Sequence, residues 1–333
     1  MQFVVLGGGG SFGLAVSRFL LKQKGVTHVV GIGRNPPKPP CFTLDTGDND
    51  PRYEYRTYHL TYELDLLMEY LAELEPDVII NFAAQGEGAT SFNHSWRYFE
   101  TNCVGLVRMV EALTKGEHLI DFSLKRFIHI GTSELYGSVT SPADENCPIR
   151  PTSPYAASKA AFDLYLMALA QKTGFPMNII RPSNCYGAGQ QLHRLVPRAM
   201  LCGLTGRKLP LHGGGLAKKS YMHTDDLASA IWTVLHKGNP GEVYNAGPTL
   251  PVAIHTVVEK IADILCMGID QLCEVKGDRQ HQDSCYWLDS TKLKQLGWER
   301  EVTWEIGLNE VRAWVEKYKS ELEKMPQDFI MRG

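Results

Sequence analysis

A doubly wound α/β protein built on a parallel sheet is the fold class this chain predicts. Three observations carry it. Short apolar runs alternate with amphipathic helical stretches. The first run empties into a glycine-rich turn, Gly7-Gly8-Gly9-Gly10-Ser11-Phe12-Gly13, that opens a helix. The second half breaks into shorter elements punctuated by Gly and Pro. The layout expected from this is a sheet domain over residues 1–182, with about 221–247 returning to it, and a smaller mixed α/β portion over 183–333.

Phe3 to Leu6 is a fully apolar run, read as the first strand. Leu14 to Lys24 reads as a helix whose apolar side is Phe12, Ala15, Val16, Phe19 and Leu20. His28 to Ile32 is the second strand, closing a βαβ unit of about 30 residues. The glycine spacing is Gly7-x-x-Gly10-x-x-Gly13. Gly7 allows the tight turn, Gly10 lets backbone approach a pyrophosphate, and Gly13 lets the helix close on the strand, so the turn, with Ser11 and Phe12 in it, reads as a dinucleotide cradle of Rossmann type. An acid at the end of the second strand would bind a free ribose 2′-hydroxyl. The strand ends instead Gly31-Ile32-Gly33-Arg34-Asn35. Arg34 suits a 2′-phosphate and stacking on adenine, which favours NADP over NAD.

Residues 35–52 read as an irregular loop, Tyr53 to Leu60 as a strand, and Tyr62 to Leu74 as a helix. Asp77 to Phe82 is the next buried strand, and the small residues Ala83 and Ala84 after it leave room for a flat cofactor. Trp96 to Leu113 keeps a period near 3.6 through Trp96, Phe99, Cys103, Leu106, Val110 and Leu113, one long amphipathic helix that serves core or dimer contact. The strand Arg126 to Gly131 then runs into Thr132-Ser133-Glu134-Leu135-Tyr136-Gly137, and Tyr155 to Lys159 opens a helix after a Pro-rich loop. Tyr155 and Lys159 are four apart and share a helix face. If the strand end meets that face, a hydroxyl, a carboxylate, a phenol and an ammonium converge, a group able to move protons from an alcohol and from carbon. Met177 to Arg181 is a further strand, Tyr221 to Asp226 a short run before a helix at Leu227 to His236, and Thr303 to Glu323 an amphipathic helix that packs.

Composition narrows the partners. Apolar residues make up 44% and charged residues 21%, with a net charge of −3, which gives no electrostatic case for nucleic acid or an anionic membrane. Eight cysteines stand at 41, 103, 147, 185, 202, 266, 273 and 285 without metal-ligand spacing, the pattern of reduced thiols in a cytoplasmic protein. Eleven histidines show no metal-ligand clustering, so no metal is expected. No run approaches a membrane span, and the start lacks a secretory pattern.

In this order the motifs resemble the extended short-chain dehydrogenase/reductase family, specifically its nucleotide-sugar dehydratases, decarboxylases and epimerases. The resemblance rests on Gly7-x-x-Gly10-x-x-Gly13, Asn81-Phe82-Ala83-Ala84-Gln85, Thr101-Asn102, Thr132-Ser133-Glu134-Leu135-Tyr136-Gly137 and Tyr155-x-x-x-Lys159. It continues through Arg181 to Gly187, Tyr221 to Asp226, Gly241 to Asn245, Asp278-Arg279 and Leu288 to Leu293. It implies an NADP- or NAD-dependent enzyme acting on a nucleotide-diphosphate sugar. Tyr155 would be the phenolate base on the C4 hydroxyl, its pKa lowered chiefly by Lys159. Lys159 would also bind nicotinamide ribose, Thr132 would hold the C4 oxygen, and Glu134 would take the C5 proton before water leaves C6. For the substrate the resemblance points to Gln85, Asn102, Asn184, Lys219, Asn245 and Arg279. It implies a homodimer through a four-helix seam formed by the helices Trp96–Leu113 and Tyr155–Ala170.

One position departs from part of that family. The dTDP-glucose dehydratases carry Asp between Thr and Glu as the acid for the departing hydroxyl, whereas this chain has Ser133. GDP-mannose dehydratases and UDP-glucuronate decarboxylases both carry Thr-Ser-Glu, so Ser133 leaves dehydration first and decarboxylation second. Glu134 argues against a C4 epimerase, and the intact Tyr155/Lys159 pair argues against an idle NADP-sensing module.

Overall fold

A computed structural model of the chain describes residues 1–44, 46, 50–115, 124–277 and 283–330. The first elements are β1 (Gln2–Leu6), α1 (Ser11–Leu21), β2 (His28–Gly33), α2 (Pro40–Thr43), β3 (Tyr53–Thr57), α3 (Leu64–Leu74) and β4 (Val78–Asn81). Next come α4 (Ser95–Phe99), α5 (Gly105–Lys115), β5 (Arg126–Ile130), α6 (Pro154–Thr173), β6 (Met177–Pro182) and β7 (Asn184–Tyr186). Then follow α7 (Leu195–Leu204), β8 (Leu209–His212), β9 (Lys218–Lys219), β10 (Tyr221–His223), α8 (Thr224–Lys237) and β11 (Val243–Ala246). The last are β12 (Val252–Ala253), α9 (Ile254–Ile264), α10 (Ile269–Leu272), β13 (Cys273–Lys276), β14 (Cys285–Tyr286), α11 (Thr291–Gln295), α12 (Trp304–Lys317) and α13 (Lys319–Leu322).

Seven strands form one parallel, Rossmann-type sheet in the order β3-β2-β1-β4-β5-β6-β11. Alternation along β1 explains the layering. Phe3 and Val5 enter a core covered by α1 and α8, while Val4 and Leu6 enter the opposite core under α3, α5 and α6. Each such buried side chain contributes about 1.5–3 kcal/mol. Among the described residues beyond β6, only β11 joins this sheet, pairing Val243 with Ile179 and Asn245 with Arg181. A separate apolar cluster gathers α7, α9 and α12 through Val196, Met200, Val257, Ile261, Leu308 and Val311. The order of the strands reverses between β1 and β4, the place where sheets of this kind bind ligands beyond the carboxyl ends of their strands.

Several elements differ from their predicted bounds. α1 starts at Ser11, so Phe12 and Gly13 lie inside the helix, and it stops three residues early. β3 ends at Thr57, because the chain turns after it through Tyr58 and His59. The predicted continuous helix over 96–113 contains a π-turn at Glu100–Val104. That extra residue carries Asn102 to the Gln85 backbone and Ser158, and a Cβ on Gly105 would stand 2.9 Å from Thr61 Cγ2. α8 begins at Thr224, capped by His223, and the tail helix breaks at Tyr318. Among the described residues, no helix is long and apolar enough to cross a membrane.

Candidate active site

The glycine turn between β1 and α1 is shaped by close backbone approach. Gly7 has φ +76°, and a Cβ there would stand 2.7 Å from the Phe82 carbonyl carbon. A Cβ at Gly13 would meet Gly7 O at 2.6 Å and Gly8 Cα at 2.8 Å. Both positions therefore exclude side chains, and the turn sits against the exit of β4. α1 opens at Gly10 with no side-chain cap, so its first amides face outward with the positive end of the helix dipole behind them. Such a cradle fits a pyrophosphate. Arg34 follows β2, and its charge reaches the His59 imidazole, which burial first and Arg34 second hold below its ordinary value. Tyr55 lies across this corner, donating its hydroxyl to Asn35 O at 2.8 Å. Neither Tyr55 nor His59 was singled out by the sequence reading.

Strand and helix do meet at Thr132 and Tyr155. Thr132 caps the turn Ser133–Tyr136, accepting from the Glu134 amide at 3.2 Å, and its side chain also hydrogen-bonds Tyr155. Ser153 accepts from the Ala156 amide and starts α6, with Pro154 in its first turn, which fixes the height of Tyr155 and Lys159. Lys159 is buried. Its ammonium donates to Ile130 O at 2.6 Å and lies 3.3 Å from His129 Nε2. Burial pulls it down to about 8, against the opposing pull of Asp163.

Below this pair runs a polar network the sequence did not disclose. Asn81 Nδ2 is 2.9 Å from His129 Nδ1, and Asn81 Oδ1 accepts from the Ala83 amide at 3.0 Å. Burial, then Lys159 and Arg181, hold the His129 imidazole well below its ordinary value. Asp163 accepts from Arg181 Nε at 2.9 Å, and Arg181 in turn donates to Tyr136 Oη at 2.8 Å.

The expected lowering of the Tyr155 pKa is corrected. Burial pushes the phenol up, and the Glu134 charge adds to this, with only the Thr132 hydrogen bond and the more distant Arg194 opposing. The Lys159 ammonium is turned instead to Ile130 O and His129. Glu134 is itself raised, by burial first; Lys219 and Arg194 oppose, while Glu87 and Asp283 reinforce.

Of the predicted substrate residues, two are committed elsewhere. Asn102 is fully buried, and both its amide hydrogens are engaged, to Gln85 O at 3.0 Å and Ser158 Oγ at 3.0 Å. Its carbonyl accepts from the Gln85 amide, so it clamps the loop after β4 to α6 and orients Gln85 rather than facing a ligand. Asn245 is likewise enclosed, donating to Ala143 O at 2.9 Å and accepting from Tyr136 Oη at 3.0 Å. Lys219 Nζ sits 3.7 Å from the Tyr286 ring centre, with its charge felt at Glu134. Asn184 opens β7, where its amide donates to Ser220 O at 3.1 Å, in the strand pair with β10. Ala83 and Ala84 follow β4 beside the glycine turn. Arg279 lies outside the described residues.

Sequence reasoning also passed over Glu87, Arg194 and Tyr286. Glu87 Oε2 is 3.5 Å from Arg194 Nη1, and both charges act on Glu134 and Tyr155. The signal available for Glu87 was a lone acid between two glycines at a strand exit.

Comparison with known proteins accords with this geometry. Residues 3–247 match the NAD dependent epimerase/dehydratase family. A dTDP-glucose 4,6-dehydratase of Haemophilus influenzae is 30% identical over 331 residues, covering 94% of this chain and 97% of that one. A trifunctional UDP-glucose 4,6-dehydratase, UDP-4-keto-6-deoxy-D-glucose 3,5-epimerase and UDP-4-keto-L-rhamnose reductase of Arabidopsis thaliana is 34% identical over 254 residues. That match covers 75% of this chain and 38% of the plant protein, so the chain spans about two fifths of such relatives. The crystal structure of DesIV, a dTDP-glucose 4,6-dehydratase of Streptomyces venezuelae with NAD bound, superposes with a TM-score of 0.87 at 29% identity, covering 96% of this chain and 98% of that one.

Proposed function

Because the chain belongs to the NAD dependent epimerase/dehydratase family, we propose that it is a nucleotide-sugar 4,6-dehydratase, a lyase working with a bound nicotinamide dinucleotide. The observation that carries this reading is Glu134 beside Tyr155. The Glu134 carboxylate stands within electrostatic reach of the phenol, and Thr132 joins the two, bonding the Glu134 amide and the Tyr155 side chain. A C4 oxidation needs only the phenol; a carboxylate next to it has work only if a proton leaves the neighbouring carbon.

A bound dinucleotide would supply the redox chemistry that side chains lack, reversible uptake of a hydride. The uncapped start of α1, with Gly7, Gly10 and Gly13, holds its pyrophosphate, with Ser11 and Phe12 in the first turn. Ala83 and Ala84 border the flat ring. Lys159 binds the nicotinamide ribose, as the resemblance implies. Arg34, with His59 beside it, favours a 2′-phosphate and hence NADP over NAD.

Tyr155 takes the C4 hydroxyl proton while Thr132 holds the C4 oxygen. The raised phenol pKa makes Tyr155 a poor base alone, so the reaction depends on lowering it when the site is filled. Glu134 then removes the C5 proton, made acidic by the new ketone. Its own raised pKa brings it nearer the neutral range, where a general base is most effective. Ser133 relays the proton that Glu134 took from C5, through water, to the C6 hydroxyl, which departs as water. Lys219, Asn184 and Arg279 bind the diphosphate, with Gln85 at the sugar.

We further propose a homodimer. Trp96 is 60% exposed, Leu164 51% and Met167 38%, on helices α4 and α6 that pack against each other, and a partner's matching helices would cover them. The eight free thiols suit a cytoplasmic protein. The functional test is incubation with UDP-, GDP-, CDP- and dTDP-hexoses and with UDP-glucuronate, read by mass spectrometry. Loss of water from one of them supports the reading; loss of CO₂ from a hexuronate, with every hexose untouched, refutes it.

A further inference from the structure

We propose that Glu87 sets the class of sugar the pocket accepts. By pairing with Arg194 beside Glu134 it reserves the site for a neutral hexose and turns away a hexuronate carrying a C6 carboxylate. This rests on the dehydratase reading above and sharpens it.

The argument begins with backbone cost. Glu87 follows β4 in the sequence Gly86-Glu87-Gly88 and has φ +111°, a region that L residues rarely enter and that glycine would occupy without strain. The conformation is pinned: Tyr98 Oη donates to Glu87 O at 3.0 Å and Thr90 Oγ1 at 3.3 Å. The side chain is only 13% exposed. Its carboxylate lies 3.5 Å from Arg194 Nη1 and 4.0 Å from His193 Nε2.

The same loop forms a wall of the pocket. A Cβ on Gly88 would stand 3.3 Å from Glu134 Oε2, and one on Gly86 3.4 Å from Arg194 Nη2. With Glu134 acting at C5, and C6 one bond further, the loop beside Glu134 is the wall within reach of the C6 substituent. The charges acting on Glu134 are Lys219 and Arg194 on one side, Glu87 and Asp283 on the other. Among the described residues, with Lys219 given to the diphosphate, Arg194 is the cation that a C6 carboxylate would seek. Glu87 already pairs with it. A hexose hydroxyl loses nothing by that arrangement, whereas a hexuronate would set a third carboxylate beside Glu87 and Glu134.

The test measures binding of UDP-glucose and UDP-glucuronate, with the dTDP pair alongside, to cofactor-loaded wild type, Glu87→Gln and Arg194→Gln by isothermal titration. Wild type should prefer the hexose by about tenfold or more. Glu87→Gln should unmask Arg194 and shrink that preference about tenfold, and Arg194→Gln should widen it. An unchanged ratio in Glu87→Gln overturns the proposal. Should that variant fail to fold, an unchanged ratio in Arg194→Gln overturns it instead. A wild type that dehydrates hexoses yet binds both sugar classes equally sinks this inference alone. A wild type that binds no nucleotide sugar sinks the dehydratase reading with it.

Discussion

Replacing Glu134 with Gln separates the two halves of the proposed reaction. The variant keeps the shape of the side chain and its backbone bond to Thr132, and removes a charge that acts in two places. As the base at C5, the carboxylate supplies about 10²–10⁴-fold in rate, so turnover to the dehydrated sugar should fall by that factor. At Tyr155 the effect has the opposite sign. The Glu134 charge is second only to burial in raising the phenol pKa. Removing it lets the phenol ionise at lower pH, so C4 oxidation should persist and its pH limb should move toward acid. The acidic limb of overall turnover should also change. In the wild type it reports a carboxyl held above the ordinary glutamate range, and activity rises as pH climbs through that value. In the variant this limb disappears. The assay is single-turnover cofactor reduction together with deuterium uptake at C5 from heavy water. Persistent, undiminished exchange in the variant would refute the assignment of Glu134 as the base.

Arg34→Ala should raise KM for NADP about 10–100-fold, the worth of a charge-assisted contact, while changing KM for NAD by less than about threefold. Equal weakening of both would show that Arg34 does not meet a 2′-phosphate. Asp163→Asn leaves the Arg181 guanidinium buried without its charge partner and should cost about 3–5 kcal/mol in urea unfolding. Because Asp163 also holds the Lys159 ammonium up, the lysine in that variant should titrate below its present value of about 8, which NMR can follow. Trp96→Asp puts a charge on the exposed apolar face of α4 and should convert the proposed dimer to a monomer in sedimentation velocity at micromolar concentration. An unaltered sedimentation coefficient would place the seam elsewhere.

The fold was legible because its strands are doubly buried. Phe3 to Leu6, Val78 to Ile80 and Phe127 to Ile130 read as short apolar runs, and only a sheet covered on both faces requires them. The glycine turn was equally plain, since its spacing is dictated by contacts of backbone with backbone. What the sequence blurred were local adjustments made for a distant partner. The π-turn before Gly105 exists to bring Asn102 to Gln85 and Ser158, which lie 17 and 56 residues away in the chain. Periodicity sees the stripe of apolar residues and is blind to one residue inserted to reach another loop.

The site divides along the same line. Tyr155 and Lys159 on one helix face, and Thr132, Ser133 and Glu134 after one strand, were readable because each group is local. Their electrostatics were not. Nothing in the spacing Tyr155-x-x-x-Lys159 says that the ammonium turns to Ile130 O and His129, leaving the phenol raised by burial and Glu134. Asn102 and Asn245 show the converse error, in which polar residues within site motifs spend their hydrogen bonds on the scaffold. Glu87 and Arg194 stand 107 residues apart and carry no shared motif, yet their 3.5 Å pairing decides how much positive charge the pocket retains. A pocket with that cation free would suit an acidic sugar; with it paired, the same Thr132-Ser133-Glu134 triplet serves a neutral one. If the proposed role of Glu87 holds, the choice between losing water and losing CO₂ is made by the wall facing C6, and Ser133, common to both chemistries, could not have revealed it.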